Sequence, residues 1–143
     1  MAVQSVDVAL VASARDRLLT ANDFLVPLGV QGADEVVISA HPGGARGESS
    51  YIGFFNAGVE DFANTDAESP EVAMIEALNQ KLILVTKWLE EREAILAALS
   101  VSFPLTMLFS LWIEGQQMDL DLSSSFLAAC GKGGIELQVL TEG

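Results

Sequence analysis

The hydrophobic positions between residues 70 and 113 follow two different patterns. From residue 75 to residue 99 the apolar side chains recur in alternating steps of three and four, as on one face of an α-helix. Arg92 interrupts this stripe at an expected apolar position, so we expect a kink or a break there. Residues 101–113 lack the helical period and predict a buried strand. The stripe comprises Ile75, Leu78, Leu82, Val85, Leu89, Leu96 and Leu99.

The remaining segments predict shorter strands and helices joined by polar connections. Ser69 is suited to cap the long helix and Pro70 to occupy its first turn. Alternating or β-branched residues predict further strands, and residues 41–50, with a proline and three glycines, predict a loop. The predicted strands are 5–13, 35–40, 51–56, 135–139 and an edge strand at 118–122. The predicted short helices carry Phe24, Leu25 and Leu28, and then Phe126, Leu127 and Cys130.

Strands that mix with helices without strict βαβ repetition favour an α+β fold. We expect a single domain over residues 1–143, built as a two-layer sandwich with a largely antiparallel sheet and helices on one face. A ferredoxin-like arrangement is the simplest version of this architecture. The alternation of elements leaves the order of the strands in the sheet open.

Charge restricts the classes of partner. Seven Lys and Arg residues stand against 20 Asp and Glu, a net charge of −13. This charge repels nucleic acids and anionic membrane surfaces and attracts basic proteins. Cys130 is the chain's one cysteine, which fits a reducing compartment. With neither a signal peptide nor a membrane-spanning segment predicted, we expect a cytoplasmic protein.

Three segments resemble a family of bacterial proteins. Residues 19–30, Leu-Thr-Ala-Asn-Asp-Phe-Leu-Val-Pro-Leu-Gly-Val, are similar to the "threshold" helix ending in Leu-Gly-Ile that opens the family catalogued as domain of unknown function 4279. The interrupted helix at 75–99 resembles the paired helical stretch of that family. Residues 122–139 are similar to its ending, a short helix, a glycine turn and a terminal strand. The family has no assigned activity, so the resemblance implies an arrangement of elements and no catalytic residue.

The glycine-rich loop at 41–50 and the strand that follows it contain candidate ligand-binding residues. His41 begins it, and Arg46 follows a pair of glycines whose backbone amides could help to cradle an anion. Tyr51 and Phe54 follow in the next strand and could line a pocket beside the loop. However, the loop lacks the Gly-Lys-Ser/Thr ending of a phosphate-binding loop, so a plain hairpin connection is the simpler interpretation.

Trp88 offers a different kind of contact. It lies at the margin of the helical stripe, beside acidic residues, where an exposed tryptophan would resemble the anchor of a protein interface. A place in the core, which we also expect for Trp112, is the simpler interpretation. Cys130 is expected to be buried and inert. We expect no metal site, because Glu60, Asp61, Asp66 and Glu68 do not follow EF-hand spacing, and Asp119 and Asp121 lack a second pair of ligands.

Two functions follow from these observations. The first is a non-catalytic protein-interaction module without a cofactor that binds a basic partner, for example an immunity protein that masks a toxin. The second is a small-molecule-binding or sensory domain that uses the sheet face and the glycine-rich loop at 41–50. An enzyme ranks third, because one histidine and one cysteine supply few catalytic arrangements. Homodimerisation is compatible with each of them, since so apolar a small chain can leave a patch exposed.

Overall fold

The computed structural model describes residues 2–14, 19–43, 49–64, 69–114 and 120–142. Within these ranges the chain forms strands, three α-helices and a short 3-10 helix at Val59–Phe62. In chain order the strands and α-helices are β1 (Ala2–Ala12), β2 (Ser39–His41), β3 (Ser50–Gly58), α1 (Pro70–Glu91), α2 (Glu93–Ser102), β4 (Leu105–Glu114), α3 (Ser124–Lys132) and β5 (Ile135–Glu142).

The strands form one five-stranded sheet in the order β2-β3-β1-β4-β5. All neighbouring pairs are antiparallel except β4 and β5, which are parallel and joined through α3. The helices α1, α2 and α3 pack on one side of this sheet. The predicted α+β sandwich, with a largely antiparallel sheet and helices on one face, is therefore confirmed.

The core lies between the helices and the sheet face that they cover. Alternate residues of the central strands point into it, including Val8 and Leu10 of β1 and Phe109 of β4. Phe109 contacts Phe126 of α3 edge to face, with ring centroids 5.9 Å apart. Aromatic pairs in this geometry add about 0.5–1.5 kcal/mol beyond the apolar area that they bury. Met74, Leu78, Val85 and Leu89 supply the facing side chains of α1.

The long helix begins and breaks where the sequence predicts. The Ser69 hydroxyl accepts a hydrogen bond from the Val72 amide at 3.1 Å, and Pro70 takes the first helical position. At Arg92 the backbone leaves helical geometry (φ −116°, ψ 14°) and separates α1 from α2. The side chain of Arg92 folds back instead of entering the core: its Nε donates to the Leu28 carbonyl oxygen at 2.8 Å. The interruption of the stripe thus marks both a break and a tie to residues 19–30.

The predicted helix around Phe24 is a succession of turns instead. The Val26 amide donates to the Ala21 carbonyl oxygen and the Val30 amide to the Leu25 carbonyl oxygen. Because both bonds reach five residues back instead of four, no regular α-helical ladder forms. Pro27 lacks an amide hydrogen, and Gly29 adopts a left-handed conformation (φ 73°). The predicted inward side is nevertheless confirmed, because Phe24, Leu25 and Leu28 are buried.

Several boundaries differ from the predicted ones. The strand predicted at 35–40 covers only Ser39–His41, because the Asp34 carboxylate accepts from the amides of Val36 and Val37 at 2.8 Å and holds a turn. Residues 101 and 102 end α2 instead of opening β4. Residues 120–122 form no strand, and the rest of the predicted edge strand lies outside the described residues. β5 is longer than predicted and buries only Ile135.

Candidate functional site

The sheet face opposite the helices has no covering layer in the described part of the chain. Strand register places Asp7 opposite Asn56 of β3 and Ser110 of β4 on this face, while Val11 lies opposite Tyr51. We call this surface the open face. Its central residues are Ser5, Asp7, Ala9 and Val11 of β1, Tyr51, Gly53 and Asn56 of β3, and Thr106, Leu108, Ser110 and Trp112 of β4.

A concavity of about 400 Å³ lies in the open face over β1 and β3. It forms because small residues meet at its centre, where Ala9 lies opposite Gly53. A Cβ added at Gly53 would collide with the hydroxyl of Ser39, so a larger residue there would displace a lining group. The other lining side chains are Asp7, Val11, Ile38, Ser49, Tyr51, Asn56 and Leu108.

Asp7 is the one charged group among the described residues that line this concavity. Burial of part of its carboxyl against the sheet raises its pKa above the ordinary value of 3.8. No described residue donates a hydrogen bond to the carboxylate or pairs with it as a cation. A partly desolvated carboxylate without a countercharge gains from an incoming cation more than a fully hydrated one does.

The charges are distributed unevenly between the two sides of the sheet. The Lys and Arg residues within the described ranges lie in the helical layer: Lys81 and Lys87 in α1, Arg92 at the break, and Lys132 in α3. The strand register places the acidic residues Asp7, Glu114, Glu136 and Glu142 on the open face. The described part of the open face therefore combines negative charge with uncovered apolar side chains.

His41 and Tyr51 lie side by side at the β2 edge of the open face. Their rings stack with centroids 5.8 Å apart and an angle of 10° between the planes. The His41 Nδ1 accepts a hydrogen bond from the Gly43 amide at 3.0 Å, which places the ring proton of a neutral imidazole on Nε2. Of the remaining predicted ligand residues in this loop, Arg46 lies outside the described residues.

Phe54 and Trp88 are both buried, so neither is the surface contact that the sequence analysis considered for it. Phe54 is the extra residue of a β-bulge in β3, and it is fully buried. Its ring contacts Trp88, which is only 5 % exposed, with centroids 5.2 Å apart. Arg92 lies over the indole, with its guanidinium carbon 4.2 Å from the ring centroid. The hypothesis that Trp88 anchors an interface is therefore wrong, and the core interpretation is right.

Trp112 also lies elsewhere than the sequence predicts. We expected it in the core, but it is 49 % exposed on the open face. A usable signal was present: from Leu105 to Leu111 the odd-numbered positions of β4 are all large and apolar, and residue 112 falls on the other side.

Within the described part of the chain, the acidic residues weighed as cation ligands do not assemble. The described residues contain no group of three or more His, Cys, Asp or Glu side chains placed to hold a metal ion. Asp61 accepts from the Gly58 amide at 2.9 Å and so closes the first turn of the 3-10 helix. Asp66, Glu68 and Asp119 lie outside the described residues.

Cys130 is buried in α3 behind the covered face, as expected. Burial raises the pKa of its thiol to about 11, which is the opposite of what a nucleophile requires.

Comparisons with known proteins give no significant match for this chain. No protein-family model matches the sequence, and no curated protein and no solved structure is significantly similar to it. The resemblance to the family catalogued as domain of unknown function 4279 therefore stays a prediction. Among the described residues, no helix is both long and apolar enough to cross a membrane.

Proposed function

We propose that this protein is a non-catalytic interaction module that binds a basic protein partner through its open face. The observation that carries the proposal is the Asp7 concavity, an unpaired and partly buried carboxylate in a face without a described Lys or Arg. A partner that presents a Lys or Arg side chain would satisfy this carboxylate. An immunity protein that masks a basic toxin is one example of such a function.

The shape of the concavity suits a long basic side chain. Ala9 and Gly53 leave room for an aliphatic stem to lie against the sheet, with the cationic head at Asp7. Tyr51 borders the same space and offers an aromatic ring to a cation. Exposed apolar side chains around it, including Trp112 and Leu140, are the kind that central interface positions use.

The size of the open face is sufficient for a specific complex. Five strands spaced about 4.8 Å apart give a face roughly 24 Å wide. Specific complexes bury about 800 Å² on each partner, which a sheet face of this width can provide. The net charge of −13 would in addition accelerate encounters with a cationic surface and make them sensitive to salt.

The groups that the sequence offers for catalysis have other roles here. The His41 Nδ1 accepts the Gly43 amide, and the Ser50 hydroxyl donates to the Pro42 carbonyl oxygen. The Cys130 thiol is buried with a raised pKa. These contacts engage the groups that a nucleophile and its base would require, which supports a non-catalytic function.

A capture experiment with a paired variant tests the proposal. The tagged protein is used as bait in lysate at low and at high salt, and any captured basic protein is purified and titrated against the wild type, Asp7→Asn and Glu76→Gln. Glu76 is exposed on α1, away from the open face, so Glu76→Gln removes the same charge elsewhere. We expect Asp7→Asn to weaken binding by about tenfold or more, as for a central charged contact, and Glu76→Gln by less than about twofold.

The proposal fails if no basic protein is captured at low salt. It fails equally if Asp7→Asn and Glu76→Gln weaken the captured complex to the same small extent. That second result would attribute binding to net charge alone and would leave the open face without a role.

Small-molecule binding is the second candidate, and the volume of the concavity favours it. Ligand pockets commonly enclose about 300–1,000 Å³, a range that includes the about 400 Å³ seen here. A small cationic metabolite would use the same carboxylate. In that case a panel of amines would raise the melting temperature of the wild type but not that of Asp7→Asn.

A further inference from the structure

Strand β5 forms one edge of the sheet, and no other strand within the described ranges pairs with its outer side. It runs for 8 residues in unbroken parallel register with β4. Natural edge strands are usually protected by short length, a proline, a bulge or a lysine. The sequence Ile-Glu-Leu-Gln-Val-Leu-Thr-Glu has no proline, bulge or lysine, and its charged side chains are Glu136 and Glu142, near the two ends of the strand. Backbone donors and acceptors along this edge are therefore open to pairing with another strand.

The side chains of β5 add an apolar component to this edge. Leu137 and Val139 lie on the same side as the buried Ile135 but are each 39 % exposed, because the helical layer covers only the beginning of the strand. Leu140 lies on the open face and is 46 % exposed. A second strand beside β5 would remove part of this apolar surface from water.

We propose that β5 pairs with β5 of a second copy of this chain, antiparallel and in one register centred on Gln138. The two-fold axis then runs perpendicular to the sheet, so that both copies keep their helices on the same side. With such an axis, residues directly opposite each other must lie on the same face of the sheet. Because side chains alternate between the faces, the axis must pass through a residue, and the two residues at the middle of β5 are Gln138 and Val139. The proposal is independent of the proposed function.

Charge and side-chain chemistry select the first of these registers. Centring on Val139 places Glu136 opposite Glu142 of the partner subunit, and like charges directly opposite are destabilising. Centring on Gln138 places Glu136 opposite Leu140 of the partner subunit and separates the carboxylates. It also sets Leu137 opposite Val139 of the partner subunit, twice by symmetry. Four aliphatic side chains then meet on the helical side of a continuous sheet.

The high charge of the chain determines how this dimer responds to salt. Two copies carry −13 each, so their mutual repulsion opposes association. Raising the ionic strength from about 0.1 M to about 1 M shortens the Debye length from about 10 Å to about 3 Å and removes most of that repulsion. Salt therefore strengthens the dimer, whereas it weakens capture of a basic partner. The failure of one proposal is thereby distinguishable from the failure of the other.

Sedimentation equilibrium of the whole chain at low and at high salt tests the association. We expect a monomer–dimer equilibrium that shifts toward dimer at high salt. Val139→Lys places a charge in the aliphatic cluster and should weaken association at least about tenfold. Val101→Lys is the matched control, because Val101 is exposed on α2 and the substitution makes the same change in charge. It should leave the dimer unchanged or slightly stronger.

Oxidative cross-linking tests the register without relying on weak association. In Gln138→Cys the two introduced thiols lie opposite each other across the two-fold axis. Opposed residues of antiparallel strands have Cα atoms about 4.5–5.5 Å apart, within disulfide range. In Thr141→Cys they are separated by six positions along the strand, about 20 Å. We expect covalent dimer from the first variant and none from the second, while the native Cys130 stays buried.

Three results would overturn the proposal. The first is a monomer at every concentration and salt, with no cross-linked Gln138→Cys dimer. The second is a dimer that Val139→Lys and Val101→Lys affect equally, which would locate the interface elsewhere. The third is equal cross-linking of Gln138→Cys and Thr141→Cys, which would show random collision instead of a defined register.

Discussion

The two faces of strand β4 have different surroundings. On the helical side its side chains are large, apolar and buried, and Phe109 contacts Phe126. On the open side small and polar residues alternate with Leu108 and the half-exposed Trp112. One strand thus contributes to two surfaces, of which only the first has its covering layer within the described chain.

This difference separates stability from recognition. Burial of the covered face supplies the favourable free energy that offsets the loss of chain entropy on folding. The open face adds little to that sum, since its apolar groups stay in contact with water. It also holds Asp7, whose carboxylate is penalised by partial burial. Groups of this kind raise the free energy of the isolated fold and can lower that of a complex.

The largest expected effect compares two aromatic residues of the same strand. Phe109→Ala leaves a cavity against Phe126 and should lower the free energy of unfolding by about 3–5 kcal/mol. Trp112→Ala removes a larger side chain from the open face but should cost less than about 1 kcal/mol, because half of that side chain already contacts water. Urea unfolding monitored by far-UV circular dichroism measures both values.

Equal losses would contradict the contrast between the faces. They would mean that Trp112 is packed in solution as tightly as Phe109, by a second copy or by another part of the chain. Repeating the Trp112→Ala measurement over a range of protein concentrations separates these cases, because only contact with a second copy depends on concentration.

The sequence predicted the features that depend on local periodicity and capping. The stripe of α1, its cap at Ser69 and its break at Arg92 all follow from spacing and side-chain type within a few residues. The two-layer α+β architecture follows from the sequence of helix and strand patterns. Such features need no knowledge of distant parts of the chain.

The features that depend on distant contacts were not predictable. Phe54 is buried because a bulge in β3 turns it toward Trp88, and the bulge is defined only by pairing with β1. The concavity exists because Ala9 and Gly53, far apart in sequence, meet across two strands. Strand order decides which residues share the open face, and no local pattern specifies that order.

The Cys130 thiol, buried behind the covered face, should give a second, smaller effect, in which the free energy of unfolding depends on pH. The Cys130 thiol ionises near 9.0 in the unfolded chain, whereas burial raises its pKa to about 11 in the folded one. Above pH 9.0 the unfolded state therefore loses the proton first, and the free energy of unfolding falls as pH rises toward about 11. Each pKa unit corresponds to about 1.4 kcal/mol, so the loss should reach about 2–3 kcal/mol.

Comparison with Cys130→Ala isolates this contribution, because other groups also titrate at alkaline pH. Urea unfolding of both proteins between about pH 8 and pH 11 should show a steeper decline for the wild type. Parallel curves would mean that the thiol is accessible in the folded protein. In that case a thiol reagent would also react with the native chain as fast as with the unfolded one.

Removing the charge of Asp7 on the open face should have the smallest effect on the free energy of unfolding. Its sign is opposite to that of the effects above, because the substitution stabilises the fold. Because partial burial raises the pKa of its carboxyl, the folded state is penalised while the group is ionised. Asp7→Asn should therefore increase the free energy of unfolding at neutral pH, by less than about 1 kcal/mol since solvent screens an exposed group. The gain should shrink as pH falls through the raised pKa toward 3.8, where the wild type becomes neutral as well.

Thermal unfolding at several pH values measures this gain in stability. A loss of stability at neutral pH would show that the carboxylate has a favourable partner in the fold. A gain, together with weakened partner binding, would mean that Asp7 lowers the stability of the free protein and serves the complex.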